Sequence, residues 1–305
     1  MSGTAVSRTF EVPAVDLNET LRFQRLGPYD PCARFEPRAR RFAIAFRMRG
    51  APVTLELAQP GPTTILAQAW GEPAERVLEE VPAICGAEDD PEAFETDHEG
   101  VQRLARRFRK MRLPRVPWCM EALVGTILQQ RVAFVEAAQG WRKIALERGE
   151  EAPGPLGLRL FPSKATLLAM PTWAYRESLV DRKRELAIRA LLDHDDEITR
   201  ALDGSFDALR TTLGRIPGIG PWTIESFLGQ CRGDADAVPT LDYWMPHTIV
   251  HALTGKPRSD DAEMLALLER FRPHRGRVIR LIFAAGYEAP RHGPRKKSML
   301  RGGLG

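Results

Sequence analysis

The stretch RIPGIGPWT, residues 215–223, restricts what this chain can fold into more than any other. Leu209 and Leu213 give the segment before it an apolar helical face, and PWTIESFLGQC after it resumes the helical period. Between them two glycines flank one isoleucine, with a proline on either side. Gly218 and Gly220 allow positive φ or close backbone approach. Ile219 can plug a core, and Pro221 suits the first position of a new helix, where its missing N–H is not needed. Residues 205–231 are therefore predicted as helix, hairpin, helix. Such a turn leaves unpaired N–H groups at the start of the second helix, where the helix dipole adds to their attraction for an anion. A phosphate could approach the backbone of Gly218, Ile219, Gly220 and Thr223, a grip on nucleic acid that reads no sequence. Taken alone, the turn fits a plain helix–helix connection equally well.

The rest of the chain divides by hydrophobic period. In residues 1–88, RRFAIAFRMRG and APVTLELAQPG alternate as strands do, TTILAQAWG reads as a third strand, and EPAERVLEEVPAIC reads as one helix. An acidic stretch, 86–100, is expected as the linker or as the first turn of the next unit. From about 100 onward helical period prevails, as in PWCMEALVGTILQQRV, interrupted by a Gly/Pro loop, EAPGPLGLRLFP. The expected fold class is α+β: a small antiparallel sheet domain with helices over 1–88, an all-helical region of two lobes over 89–290, and a basic tail over 291–305.

Charge bears on the partner. The net charge of +4 is modest, but RLARRFRKMRLPR (103–115) holds seven Arg or Lys and no acid, and RHGPRKKSMLR (291–301) holds five more. Such runs suit a polyanion through counterion release, and equally suit a solvated helix face and a tail. Cys32, Cys85, Cys119 and Cys231 are widely spaced, without metal-ligand or iron–sulfur spacing, and are expected as buried free thiols. With no long apolar run and no basic-then-apolar N-terminus, a cytoplasmic protein without membrane contact is expected.

IPGIGPWTIESF followed by DAVPTLDYW, with 22 residues from Gly220 to Asp242, resembles the helix-hairpin-helix DNA glycosylases. The nearest likeness is to the bacterial 3-methyladenine DNA glycosylase II group, through EALVGTILQQRV, LFPSKATLLAM and ERFRPHRGRVIRLIF. It covers roughly 113–290 and is weaker over the first 88 residues. The hairpin and the aspartate are specific together; neither is alone.

The resemblance implies a monomeric enzyme acting on a damaged base in double-stranded DNA. Hydrolysis of an N-glycosidic bond develops positive charge on the sugar, which a fixed carboxylate stabilises. Asp242 takes that role, while Asp234 and Asp236 in the same loop are expected as exposed turn residues. Family members that also cut the backbone carry a lysine at the position of Trp222, where it forms a Schiff base. A tryptophan there implies hydrolysis alone, with the indole lining the base pocket and attracting a cationic alkylated purine by about 0.5–2 kcal/mol.

Phe283 and Ser226 fall at further pocket positions, where relatives carry larger aromatics. The wedge that fills the gap left by the extruded base maps to Gln130 or Arg131, the latter where close relatives insert an apolar residue. The resemblance implies no metal centre and no iron–sulfur cluster, and leaves open a structural monovalent cation on the hairpin carbonyls. Pro246, four residues past Asp242, requires the next helix to start after Asp242 or to bend there.

Overall fold

The structure, a computed structural model, describes residues 5–290; the basic run 291–301 lies outside them. The N-terminal unit holds β1 (Val6–Glu11), α1 (Leu17–Leu21), β2 (Ala33–Glu36), β3 (Arg41–Met48), β4 (Ala51–Ala58) and β5 (Thr64–Trp70). The strands form one antiparallel sheet in the order β1-β5-β4-β3-β2. Phe42, Ile44 and Phe46 of β3 face the main core, while Ala43 and Ala45 face the other way.

That second face is covered by the segment expected as a plain Gly/Pro loop. It pairs β6 (Glu150–Glu151) with β7 (Arg159–Leu160) and lays Leu158 and Leu160 on the two alanines. The single helix expected over 72–85 is two, α2 (Ala74–Glu79) and α3 (Val81–Ile84). Pro82 has no N–H for the carbonyl four residues back and its ring crowds that carbonyl, so the helix breaks just before it.

The helical region continues with α4 (Glu99–Arg107), α5 (Cys119–Leu128), α6 (Phe134–Arg148), α7 (Lys164–Ala169), α8 (Thr172–Glu177), α9 (Arg182–Asp193), α10 (Asp195–Ala201), α11 (Phe206–Gly214) and α12 (Pro221–Cys231). It ends with α13 (Met245–Thr254), α14 (Asp261–Leu268) and α15 (Arg275–Ala284). Two hydrophobic cores define two lobes. One joins the sheet to α5–α12 through residues such as Phe42, Leu55, Trp118, Leu123, Ile188, Leu213 and Phe227. The other gathers α4, α13, α14 and α15 around Val101, Ile249, Met264, Phe271 and Ile282. The sheet and the first helical lobe thus share a core. The chain passes between lobes in the segment after α12, where Ala237 packs into the first core and Val238 into the second. Among the described residues no helix is long and apolar enough to cross a membrane.

Three of the seven basic side chains in the run 103–115 bond or pair within the protein. Arg112 donates to the carbonyls of Ala14, Gly86 and Asp89, Arg115 pairs with Glu88 and Arg103 with Glu99. Arg112 and Arg115 thereby hold the 86–90 linker, while the Arg103–Glu99 pair lies exposed on α4.

Candidate active site

The hairpin forms as the residues dictate. Ser205 caps α11 by accepting from the Ala208 N–H, Gly220 is the N-cap of α12, and Pro221 is its first residue. The two glycines serve different needs. Gly218 has φ +86°, and a Cβ there would lie 2.7 Å from the Cβ of Ala187, so the turn is docked against α9. Gly220 has an ordinary φ of −109°, and a Cβ there would meet nothing within 4 Å. The open side of the turn is therefore at Gly220.

The backbone amides sort accordingly. Those of Gly218, Gly220, Trp222 and Thr223 have no acceptor among the described residues. The Ile219 N–H, expected to face a phosphate, instead donates to the Ile216 carbonyl at 3.1 Å, closing the turn, while the Ile219 side chain is buried in the core. Thr223, also expected at the phosphate, is buried, and its hydroxyl accepts from Gln130.

Trp222, on the first turn of α12, donates its indole N–H to Oδ2 of Asp242 at 2.9 Å. Oδ1 of Asp242 accepts from the backbone N–H groups of Trp244 and Met245, both at 2.8 Å. Three donors on two sides fix the plane of the carboxylate and leave lone pairs for one more partner. The helix after Asp242 starts at Met245 with Pro246 in its first turn, so the proline costs no bond and does not disturb the aspartate. An indole N–H lies in the ring plane, so the bond to Asp242 leaves the ring faces for stacking.

Ser226, one turn along α12 from Trp222, is buried. Phe283 of α15 is half-buried and packs on the second core. Gln130, expected as a wedge candidate, is turned inward. Its Nε2 donates to the Gly218 carbonyl at 3.0 Å and to Oγ1 of Thr223 at 2.9 Å, because the α5–α6 turn abuts the hairpin. Arg131 sits in the left-handed region with φ +60°, exposed and without a hydrogen bond or ion pair. The carbonyls of Ile216 and Gly218 accept from Ile219 and Gln130, so a cation on the hairpin would compete with the protein's own donors. Among the described residues no group of three or more His, Cys, Asp or Glu could hold a metal.

Asp234 and Asp236 are not the exposed turn residues expected. Asp234 is buried and pairs with Arg210, which also grips Glu225 at 2.8 and 2.9 Å. Asp236 accepts from Arg275 at 2.7 and 2.9 Å and from Arg272 at 3.1 Å. Burial alone would push Asp236 up, but the hydrogen bonds and charge of Arg275, with Arg272 behind it, hold it below the usual carboxylate range. These pairs line a hollow of about 690 Å³ that also touches Pro221 and Thr240, close neighbours in sequence of the site residues. They anchor the segment that delivers Asp242.

No family model and no curated protein matches the sequence. Solved structures do. A 3-methyladenine DNA glycosylase from Archaeoglobus fulgidus is 19% identical with a TM-score of 0.74, over 90% of this chain and 97% of that one. MBOgg1 in complex with a low-affinity DNA ligand is 16% identical with a TM-score of 0.71, over 94% and 96%. An 8-oxoguanine glycosylase/lyase from Clostridium acetobutylicum, bound to double-stranded DNA, is 14% identical with a TM-score of 0.64, over 93% and 98%. The chain has the fold of the helix-hairpin-helix DNA glycosylases.

Within that glycosylase fold, three features escaped the sequence reading. Leu241, with φ +64° and 77% exposed, and Tyr243, 73% exposed, flank Asp242, and Tyr243, Trp244 and His247 meet edge to face at 5.1–6.1 Å. The aromatic pair directly after the aspartate was a usable signal. Phe23, after α1, lines a cavity of about 70 Å³ with Gln129 of the α5 end and Gln230 of α12. Arg280 of α15 stacks its guanidinium on Phe23 at 4.6 Å, and its Nε and Nη1 have no partner. Burial pushes that guanidinium down to about 10. Nothing local in the sequence marks Phe23 or Arg280, because α1 and α15 meet only in the fold.

Proposed function

We propose that this protein is a DNA N-glycosylase that hydrolyses the glycosidic bond of an alkylated base, of the 3-methyladenine or 7-methylguanine type, in duplex DNA, as the first step of base excision repair. The free amides around Gly220 hold a backbone phosphate, aided by the dipole of α12. The lesion is rotated out of the duplex, which costs least where pairing is already weakened. Its base stacks on the face of Trp222, and an alkylated purine brings a positive charge that the ring attracts. The sugar lies towards Asp242. As the bond from C1′ to the base breaks, its electron pair leaves with the base, and Asp242 stabilises the cation left on the sugar. Water then adds at C1′ and loses a proton, giving an abasic site. The cationic base needs no strong general acid to leave.

The observation that carries this reading is the Trp222–Asp242 hydrogen bond beside the open hairpin. With tryptophan at position 222 the site has no amine there for a Schiff base, which supports hydrolysis without strand cleavage. A neutral deaminated purine, which the face of Trp222 would also stack, is the second reading for the substrate. A panel of duplexes, each with one defined lesion, decides. Released base, alkali-labile sites and no borohydride-trapped adduct support the proposal. Release only from deaminated duplexes selects the second reading. Tight binding with no base released overturns both and leaves a DNA-binding module, whereas an Asp242→Asn variant that releases base as fast as wild type overturns the mechanism.

A further inference from the structure

The side chain that enters the duplex need not lie where the resemblance puts it. Gln130 is held by the hairpin through two hydrogen bonds, and withdrawing it would strip the Gly218 carbonyl and the Thr223 hydroxyl of their donor. Arg131 is free, but it is a cation on an exposed turn. Three residues on, Phe134 and Val135 open α6 and are 50% and 59% exposed.

Phe134 lies on the same face of α6 as Ala137 and Trp141, both buried in the first core. Helical side chains lean toward the N-terminus of their own helix, so a first-turn residue reaches past the helix end, over the turn that precedes it. Here that turn is 129–133, the one Gln130 fastens to the hairpin. The core face of α6 therefore runs out of the protein at Phe134, four residues past the Gln130 that bonds to the candidate phosphate grip.

We propose that Phe134 is the residue that fills the duplex when the lesion is extruded, with Val135 beside it, and that Arg131 contacts the opposing phosphate or base. This rests on the glycosylase reading for its DNA partner. An aromatic ring replaces the lost base stack on both neighbours, and the guanidinium of Arg131 supplies charge without entering the stack. The brace from Gln130 to Gly218 and Thr223 sets the distance between wedge and phosphate grip.

The test uses the full-length chain and a duplex with a stable abasic analogue next to 2-aminopurine, so that no base release is needed. Wild type should bind it more tightly than the intact duplex and change the 2-aminopurine emission. Phe134→Ala should lose the emission change and about tenfold in preference for the abasic duplex, the loss of one stacking contact. Phe134→Leu should restore most of both, and binding to intact duplex should be unaltered in each. Melting curves confirm that the variants fold. If Phe134→Ala matches wild type, or Arg131→Ala alone abolishes the emission change, the assignment is wrong. It is also wrong if wild type shows no preference for the abasic duplex. Failure of the substrate panel with a Phe134-dependent emission change would overturn the activity and keep the wedge.

Discussion

The indole N–H of Trp222 and the carboxylate of Asp242 are joined by one hydrogen bond of 2.9 Å, and that bond links the two lobes. Trp222 belongs to a helix packed in the core shared with the sheet, and Asp242 leads into α13 of the second lobe. The ring thus has two separable duties, an edge that aims the carboxylate and a face for the base. Trp222→Phe keeps the face and removes the N–H. A hydrogen bond to a charged group contributes about 1.5–3 kcal/mol, so single-turnover base release should slow about tenfold to a hundredfold. Affinity for the lesion duplex should hardly change. Trp222→Leu should lose both, and equal losses of affinity in the two variants would show that the edge does not act on its own.

The hairpin glycines should separate folding from binding. Gly218→Ala forces a Cβ to φ +86° and to within 2.7 Å of Ala187. The left-handed conformation costs about 1–2 kcal/mol and the overlap about 1–3 more. The melting temperature should fall clearly. Gly220→Ala meets an open space at an ordinary φ, so stability should stay within about 0.5 kcal/mol. Its new methyl group stands where a phosphate would approach, and affinity for DNA should drop. A Gly220→Ala protein that binds DNA like wild type would remove the hairpin from the interface.

What the residues disclosed in advance was local. A turn built of Gly, Ile, Gly and Pro between two helical patterns can be read from nine letters, and so can the aspartate beyond it. β1 was missed because VSRTFE has a mostly exposed edge-strand pattern, with little apolar alternation to detect. Gln130 looked free because its acceptors are 88 and 93 residues away, on the hairpin. Asp234 and Asp236 looked like loop acids for the same reason: Arg210, Arg272 and Arg275 reach them only in the folded chain. Period and turn chemistry report the element a residue sits on; a partner on another element leaves no trace in either.

The four cysteines should be inert in the native protein. All are buried and free. Burial pushes Cys85 and Cys231 up to about 12 and Cys119 to about 11, and it raises Cys32 well above its ordinary value, helped by the charges of Asp30 and Glu121. The thiolate is the reactive form, so at pH 8 a disulfide reagent should titrate no thiol in native protein and four after denaturation. A thiol that reacts within seconds would contradict the packing of the first core.

Asp236 makes a pH-dependent anchor for the segment that carries Asp242. Arg275 and Arg272 lower its affinity for a proton in the folded chain, below the ordinary value of 3.8 that applies once it unfolds. Between the folded and unfolded values the unfolded chain binds more protons, so stability rises with pH across that window. The contribution is complete above pH 3.8 and disappears as pH falls through the folded value. Asp236→Asn should therefore melt below wild type at pH 7, by the loss of bonds to a charged group that contribute about 1.5–3 kcal/mol each in favourable cases. The gap should hold down to about pH 4 and close below it. Because the segment also positions the carboxylate beside Trp222, the variant should slow base release more than it weakens duplex binding. A gap in melting temperature that persists unchanged at pH 2.5 would mean the arginines do not act through the Asp236 charge.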